Sequence, residues 1–329
     1  MEPMKSTPKQ PAIVFLDSAT VDFGDIDLTP IAKNGRYFPF ENSSQDEIVK
    51  KAGRAEIVIT NKCIFAPPIF KKLPHLKLIS VAATGVNNVA LDEARKRKIA
   101  VTNVPGYSTT TVSEHALLFL LALSHRLVEH HNAVTSGLWS QSPHFAYLDY
   151  PFSDLRGKIL GILGHGTIGK KVAGFAKAFG MKVLTAKLPG RIYAKKERRL
   201  PLKKVLQKSD YISLHCALTE TTRHLINRRH LSWIKSSACL INLARGPVVD
   251  EEAVADALKN GHLAAYATDV MHQEPPPEDH PLFDDSLRNK VLFTPHIAWA
   301  SRESRQRLVD EMGKNIQAFL EGRKRNRIV

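Results

Sequence analysis

The sequence predicts an α/β fold in two domains, the larger built on a doubly wound parallel sheet. Three observations point there. Short apolar, β-branched runs alternate with segments of helical periodicity along nearly the whole chain. A glycine-rich turn, Gly164-His165-Gly166-Thr167-Ile168-Gly169, stands between one such run and one such helix. The 329 residues also exceed what a single hydrophobic core usually organises.

In chain order, residues 12–16, 56–60, 78–82 and 99–102 read as short strands of a small α/β domain. A helix is expected over 111–136, followed by a loop containing Trp139. Six strands are expected near 159–163, 182–186, 210–214, 238–243, 264–269 and 291–294, and a last helix over 301–321 returns to the first domain. The implied domains are 1–103 with 298–329, and 104–297. Strands separated by helices pair in parallel, because each crossover carries the chain back to the same end of the sheet.

The glycine turn has the context its chemistry needs. Lys158-Ile159-Leu160-Gly161-Ile162-Leu163 precedes it as a buried strand; Ile168, Val172, Phe175, Ala176 and Phe179 follow at helical spacing until Gly180, and Val183 to Ala186 resumes as a strand. In such a unit glycines allow a tight turn, let backbone approach a pyrophosphate and let helix pack on strand. The anion then rests on unpaired N–H groups and the positive end of the helix dipole. This reads as a Rossmann-type dinucleotide site using Gly164, Gly166, Thr167 and Ile168, and six strands are the number that fold needs. An ordinary turn with three glycines is the plainer alternative, and the flanking elements weigh against it.

Composition narrows the classes. Hydrophobic content of 43% with 24% charged residues describes a soluble globular protein. The longest apolar run, Ala116 to Leu123, is far too short to span a bilayer. No signal-peptide pattern precedes Ile13-Val14-Phe15-Leu16, and Cys63, Cys216 and Cys239 make neither a CxxC pair nor an even framework; a cytoplasmic setting is expected. The net charge of +15 would suit nucleic acid, yet the bases concentrate only at Lys195-Lys196-Glu197-Arg198-Arg199 and Arg323-Lys324-Arg325-Asn326-Arg327. No aromatic interleaving or zinc spacing accompanies them, so a solvated basic surface is expected, without nucleic-acid or membrane partner. No metal site is expected either, since no HExxH spacing occurs.

Three further strand ends carry chemistry: Asn242-Leu243-Ala244-Arg245-Gly246, Asp269 through Glu274-Pro275, and Thr294-Pro295-His296. Ligands of open α/β sheets bind outside the carboxyl ends of the strands, so these placements count. Singly, Arg245 could be a surface ion pair, Asp269 a cap and His296 a hydrogen-bonded core histidine. His215, after the strand at 210–214, would line the adenine side of the groove.

With these motifs in this order, the chain resembles the D-isomer-specific 2-hydroxyacid dehydrogenases over essentially its whole length, and within them the glycerate dehydrogenase/hydroxypyruvate reductase branch. The match is carried by Gly164 to Gly169, Asn242 to Gly246, Asp269 with Glu274-Pro275, and Pro295-His296-Ile297-Ala298-Trp299, with Asn103 to Tyr107 and Val112-Ser113-Glu114-His115 resembling the segment linking the family's domains. The resemblance implies a flavodoxin-like substrate domain beside the nucleotide domain, a homodimer, and reduction of a 2-keto acid to the D-2-hydroxy acid with NAD(P)H. Hydroxypyruvate and glyoxylate are the first choices; pyruvate and 2-keto-gluconate stay open. A dinucleotide-sensing corepressor is the alternative of another class, disfavoured because a sensor needs only the cofactor site.

The resemblance also implies roles. His296 would be the general acid/base, Glu274 would hold it and stabilise its charged form, and Arg245 would present its planar fork to the substrate. Backbone N–H groups at Thr84, Gly85 and Val86 would take the substrate carboxylate; Asn87 departs from the acid usual beside them. Leu243, Thr111 and Asp269 would contact the cofactor, Asp269 through the carboxamide. After the second strand, where sites selecting NAD place an acid, stands Lys187. A lysine pairs with a 2′-phosphate that an acid would repel, so acceptance of NADP(H) is expected.

Overall fold

The computed structural model describes residues 10–194 and 197–329; residues 1–9, and Lys195 and Lys196 of the basic run, lie outside them. The chain forms two compact units. One runs to Ser108 and resumes at Trp299–Val329; the other is Thr109–Ala298.

The first unit reads β1 (Ala12–Phe15), α1 (Thr29–Ala32), β2 (Arg36–Pro39), α2 (Glu47–Ala52), β3 (Ile57–Thr60), α3 (Pro67–Lys71), β4 (Leu78–Val81), α4 (Leu91–Lys96) and β5 (Ala100–Thr102). All five strands are parallel, in the order β2-β1-β3-β4-β5 of flavodoxin-like sheets. The central strands look uniformly apolar because both faces are covered, and alternate residues serve different cores. Ile13, Phe15, Ile57 and Ile59 meet Leu308, Met312 and Ile316 of the C-terminal helix, Arg302–Leu320; Val14, Val58, Ile79 and Val101 face the other layer.

Strand β2 was not among the expected strands. It is an edge strand with three of its four residues exposed and a proline at its end, so it lacks the buried apolar run that marks the others. The basic tail returns to this unit: the Ile328 N–H donates to the Val101 carbonyl at 2.8 Å, Arg323 pairs with Glu321 and Arg325 with Glu311.

The second unit reads α5 (Thr109–His125), α6 (Leu127–Thr135), β6 (Ile159–Leu163), α7 (Thr167–Ala178), β7 (Lys182–Thr185), α8 (Leu202–Lys208), β8 (Tyr211–Leu214), α9 (Arg228–Leu231), β9 (Cys239–Asn242), α10 (Glu251–Lys259), β10 (Ala265–Thr268) and β11 (Val291–Phe293). The expected single helix over 111–136 is two: Arg126 at φ +49° breaks it, its guanidinium held by Glu129 at 3.0 Å and lying over the Tyr150 ring. No glycine or proline marks that break in the sequence.

The six strands are parallel in the order β7-β6-β8-β9-β10-β11. Among the described residues only β7 lies beyond β6 on its side, where the full dinucleotide fold has two strands. A single bridge between Ala186 and Leu200 takes the outer place. The chain reverses its winding between β6 and β8, which opens a crevice at their carboxyl ends.

Candidate active site

The strand register places the candidate residues. Leu163 of β6 pairs with Leu214 of β8, Leu214 with Asn242 of β9, Asn242 with Thr268 of β10, and Thr268 with Phe293 of β11. On the other side Ile162 pairs with Thr185, and the Ala186 N–H continues to the Ile162 carbonyl at 3.1 Å. The next residue after this level row is, strand by strand, Lys187, Gly164, His215, Leu243, Asp269 and Thr294. Adjacent strands lie about 4.8 Å apart, so residues scattered over more than a hundred sequence positions form one edge.

The three glycines of the turn do three things. Gly164, at φ +104°, lies so close to the end of β8 that an added Cβ would stand 2.5 Å from the Cys216 nitrogen. At Gly169 a Cβ would stand 2.1 Å from the Gly164 carbonyl oxygen, so the close approach of α7 to the turn requires its absence. Gly166 is different: a Cβ there would meet nothing within 4 Å. It caps α7 without any side-chain hydrogen bond, so the N–H groups at Thr167 and Ile168 face an open cradle. That cradle fits a pyrophosphate, and nothing in the fold itself explains the glycine.

Asn242 shapes the turn after β9. Its amide donates to the Arg245 carbonyl at 3.1 Å and its oxygen accepts the Ala244 N–H at 3.0 Å. Arg245 is exposed, with Nη1 on the Ala244 carbonyl at 2.7 Å. At Gly246 a Cβ would stand 2.0 Å from the Met271 carbonyl carbon. Only glycine lets this turn dock on the loop after β10. Neither Asn242 nor Gly246 was assigned a role from sequence; the motif containing them was the signal.

Asp269 is buried and faces the turn after β11. Its Oδ1 accepts the Thr294 hydroxyl at 2.6 Å and the Ile297 N–H at 2.8 Å, and its Oδ2 accepts the Ala298 N–H at 2.9 Å. His115 of α5 reaches the same hydroxyl, with Nε2 2.9 Å from Thr294 Oγ1. The clamped turn carries His296 at φ +56°, a left-handed conformation that costs a non-glycine residue roughly 1–3 kcal/mol. Glu274 Oε2 lies 2.6 Å from His296 Nδ1, and its Oε1 accepts the Met271 N–H at 3.0 Å. A carboxylate can only accept, so this contact fixes a hydrogen on Nδ1.

Toward the other end of the row, His215 Nε2 lies 2.8 Å from Ser213 Oγ and burial pushes its imidazole down to about 4. Lys187 is exposed; its N–H donates to the Leu200 carbonyl at 2.8 Å. Nearby, Arg199 stacks on Tyr193, whose hydroxyl accepts the Leu188 N–H at 3.0 Å. Burial, then the charges of Arg199 and Lys170, hold the His165 imidazole below its usual range, which marks the surroundings of the glycine turn as cationic. Thr111 lies in the first turn of α5, beside Thr110, whose hydroxyl accepts from Lys171 Nζ at 2.7 Å.

In the first unit, the loop after β4 is tied down by side chains. Asn103 donates to the Thr84 carbonyl at 2.7 Å, and the Thr84 hydroxyl to the Val104 carbonyl at 2.9 Å. Past Gly85, the Val86 carbonyl accepts the Val89 N–H at 3.1 Å. Among the described residues no group of three or more His, Cys, Asp or Glu could hold a metal ion, and no helix is long and apolar enough to cross a membrane.

An open glycine turn at a helix N-terminus and a His–Glu pair off the same sheet edge form an arrangement that suits a dinucleotide-dependent oxidoreductase. Residues 117–298 match the family described as D-isomer specific 2-hydroxyacid dehydrogenase, NAD binding domain. The glycerate dehydrogenase of Methylorubrum extorquens is 39% identical over 95% of this chain and 98% of its own. The hydroxypyruvate reductase of Blautia hydrogenotrophica is 35% identical over 94% and 97%. The D-lactate dehydrogenase structure from Aquifex aeolicus, with NAD and lactic acid, superposes with a TM-score of 0.79 at 28% identity, over 94% of this chain and 96% of that one. The chain belongs to the D-isomer-specific 2-hydroxyacid dehydrogenases, enzymes that interconvert 2-keto and 2-hydroxy acids with a nicotinamide dinucleotide.

Proposed function

We propose that this enzyme reduces a short 2-keto acid, hydroxypyruvate or glyoxylate first, to the D-2-hydroxy acid. The observation that carries this is the row of strand ends from which the glycine turn, the turn with Arg245 and the loops with the hydrogen-bonded His296–Glu274 pair all leave one edge of the sheet. Gly164 to Ile168, with Leu243, His215 and Thr111, would hold the dinucleotide, which when bound would supply the hydride for the substrate carbonyl carbon. Arg245 orients the substrate through its carboxylate and carbonyl oxygens, with the backbone of Thr84, Gly85 and Val86 proposed as further donors to the carboxylate. His296, protonated, gives the Nε2 proton to the carbonyl oxygen, and Glu274 keeps the imidazole oriented. In the reverse direction the same nitrogen removes the hydroxyl proton. The relatives named glycerate dehydrogenase and hydroxypyruvate reductase support the substrate choice.

Lys187 stands level with the cradle, on the strand that carries the adenosine-ribose selector in such folds, and the cationic surroundings of His165 add to it. This supports acceptance of NADP(H). The α5–α6 segment and the loop after it expose a run of large apolar side chains, among them Phe145 at 95% and Leu148 at 74% exposure, with Leu127, Val134 and Trp139. Apolar exposure concentrated in one segment of the chain supports a homodimer; a cytoplasmic location completes the reading. Loss of NADPH and NADH absorbance across a panel of 2-keto acids tests it. Oxidation with hydroxypyruvate or glyoxylate is expected, and none with any 2-keto acid overturns the proposal.

A further inference from the structure

We infer that His115 and Thr294 are positioning residues that set the aim of His296 through Asp269; this rests on the acid–base role proposed for His296. The Thr294 hydroxyl has one proton, and Asp269 Oδ1, a pure acceptor at 2.6 Å, takes it. His115 Nε2, at 2.9 Å, must therefore donate to that hydroxyl, which fixes the His115 tautomer with its hydrogen on Nε2. The chain of donors runs in one direction: imidazole to hydroxyl, hydroxyl to carboxylate.

The carboxylate at its end is the element that holds the turn. Asp269 receives the Ile297 and Ala298 N–H groups, the two that follow His296, while the Thr294 N–H is pinned to the Thr268 carbonyl at 3.0 Å. His296 sits between those anchors at φ +56°, with its own N–H turned back to the Thr294 carbonyl at 3.0 Å. A strained residue keeps its geometry only while its surroundings over-determine it. Without the Thr294 hydroxyl, Asp269 is held by the Ile297 and Ala298 N–H groups with one anchor fewer, and the turn it clamps is less firmly determined. A displacement of about 1 Å at a proton-transferring group costs as much as 10²-fold in rate.

The groups facing His115 are consistent with this. Phe119 packs edge-on against its ring, with centroids 4.7 Å apart. Burial holds the imidazole below its usual range, against the opposing charge of Asp269, which favours the neutral ring with its Nε2–H.

Two variant pairs and one spectrum test the inference. Thr294→Val, which keeps the shape and removes the hydroxyl, should lower kcat roughly 10- to 100-fold while leaving dinucleotide Kd and the thermal midpoint near wild type; Thr294→Ser should recover most of the loss. His115→Gln places an amide N–H where Nε2–H stood and should retain far more kcat than His115→Asn, whose amide falls short. Nitrogen-15 imidazole spectra, which need no turnover, should show Nε2-protonated His115 in the wild type and altered His296 ring signals in Thr294→Val. Unaltered His296 signals, or equal kcat for Val and Ser at position 294, overturns the inference. Absence of wild-type turnover with altered His296 signals overturns the functional reading and leaves the positioning role standing.

Discussion

At the residue scale, the proposed acid–base pair and the proposed cofactor selector, Lys187, make separable predictions. His296→Ala should lose turnover by about 10²–10⁴, the usual worth of a positioned acid, while the dinucleotide binds as before. Steady-state rates and fluorescence titration of NADPH check the two halves. The histidine was legible because it followed a proline at a strand end in a recognisable motif. Its left-handed backbone and the clamp on its turn were not, because a turn's φ values depend on partners more than twenty residues away, Asp269 and Glu274. Lys187→Asp should shift the ratio of kcat/KM for NADPH over NADH toward NADH by roughly 10- to 100-fold, since a carboxylate there repels a 2′-phosphate. An unchanged ratio removes Lys187 from cofactor selection.

At the element scale, the glycine turn separates folding from binding. Gly166→Ala adds a methyl group to open space and should leave the thermal midpoint unchanged, yet weaken dinucleotide binding by roughly 10-fold or more, about 1.4 kcal/mol. Gly169→Ala drives a methyl into the Gly164 carbonyl and should destabilise the enzyme by about 1–3 kcal/mol or more. Calorimetry and titration of both variants check the contrast. The strands of both sheets were largely legible, because residues buried on two faces read as unbroken apolar runs. Strand β2 was not, since an edge strand with exposed residues carries no such run, and neither was the break at Arg126.

At the scale of the whole molecule, burial of imidazoles makes stability depend on pH. His115, His215 and His230 are all held below their usual range by burial, His215 down to about 4. Between that value and about 6.5 the unfolded chain binds more protons than the folded one, so stability is full above about pH 6.5 and falls as pH drops. Thermal midpoints measured from pH 7 to 4.5 should decline, and more shallowly in His215→Gln. The exposed apolar run after α5 makes the other prediction: Phe145→Asp with Leu148→Asp should turn a dimer into a monomer by sedimentation velocity. A wild-type monomer would sink that part of the proposal.

By itself the sequence determined most strands of the two α/β sheets and the glycine turn, and it singled out His296, Glu274 and Arg245 as candidates. These depend on local periodicity and on residue types at strand ends. Only the tertiary structure decided that Asp269 clamps the turn carrying His296, that His115 and Thr294 reach it, and that Gly246 allows close packing. Each of those is a contact between distant segments. Such contacts come into being when parallel strands align in register, and no window of neighbouring residues contains that alignment.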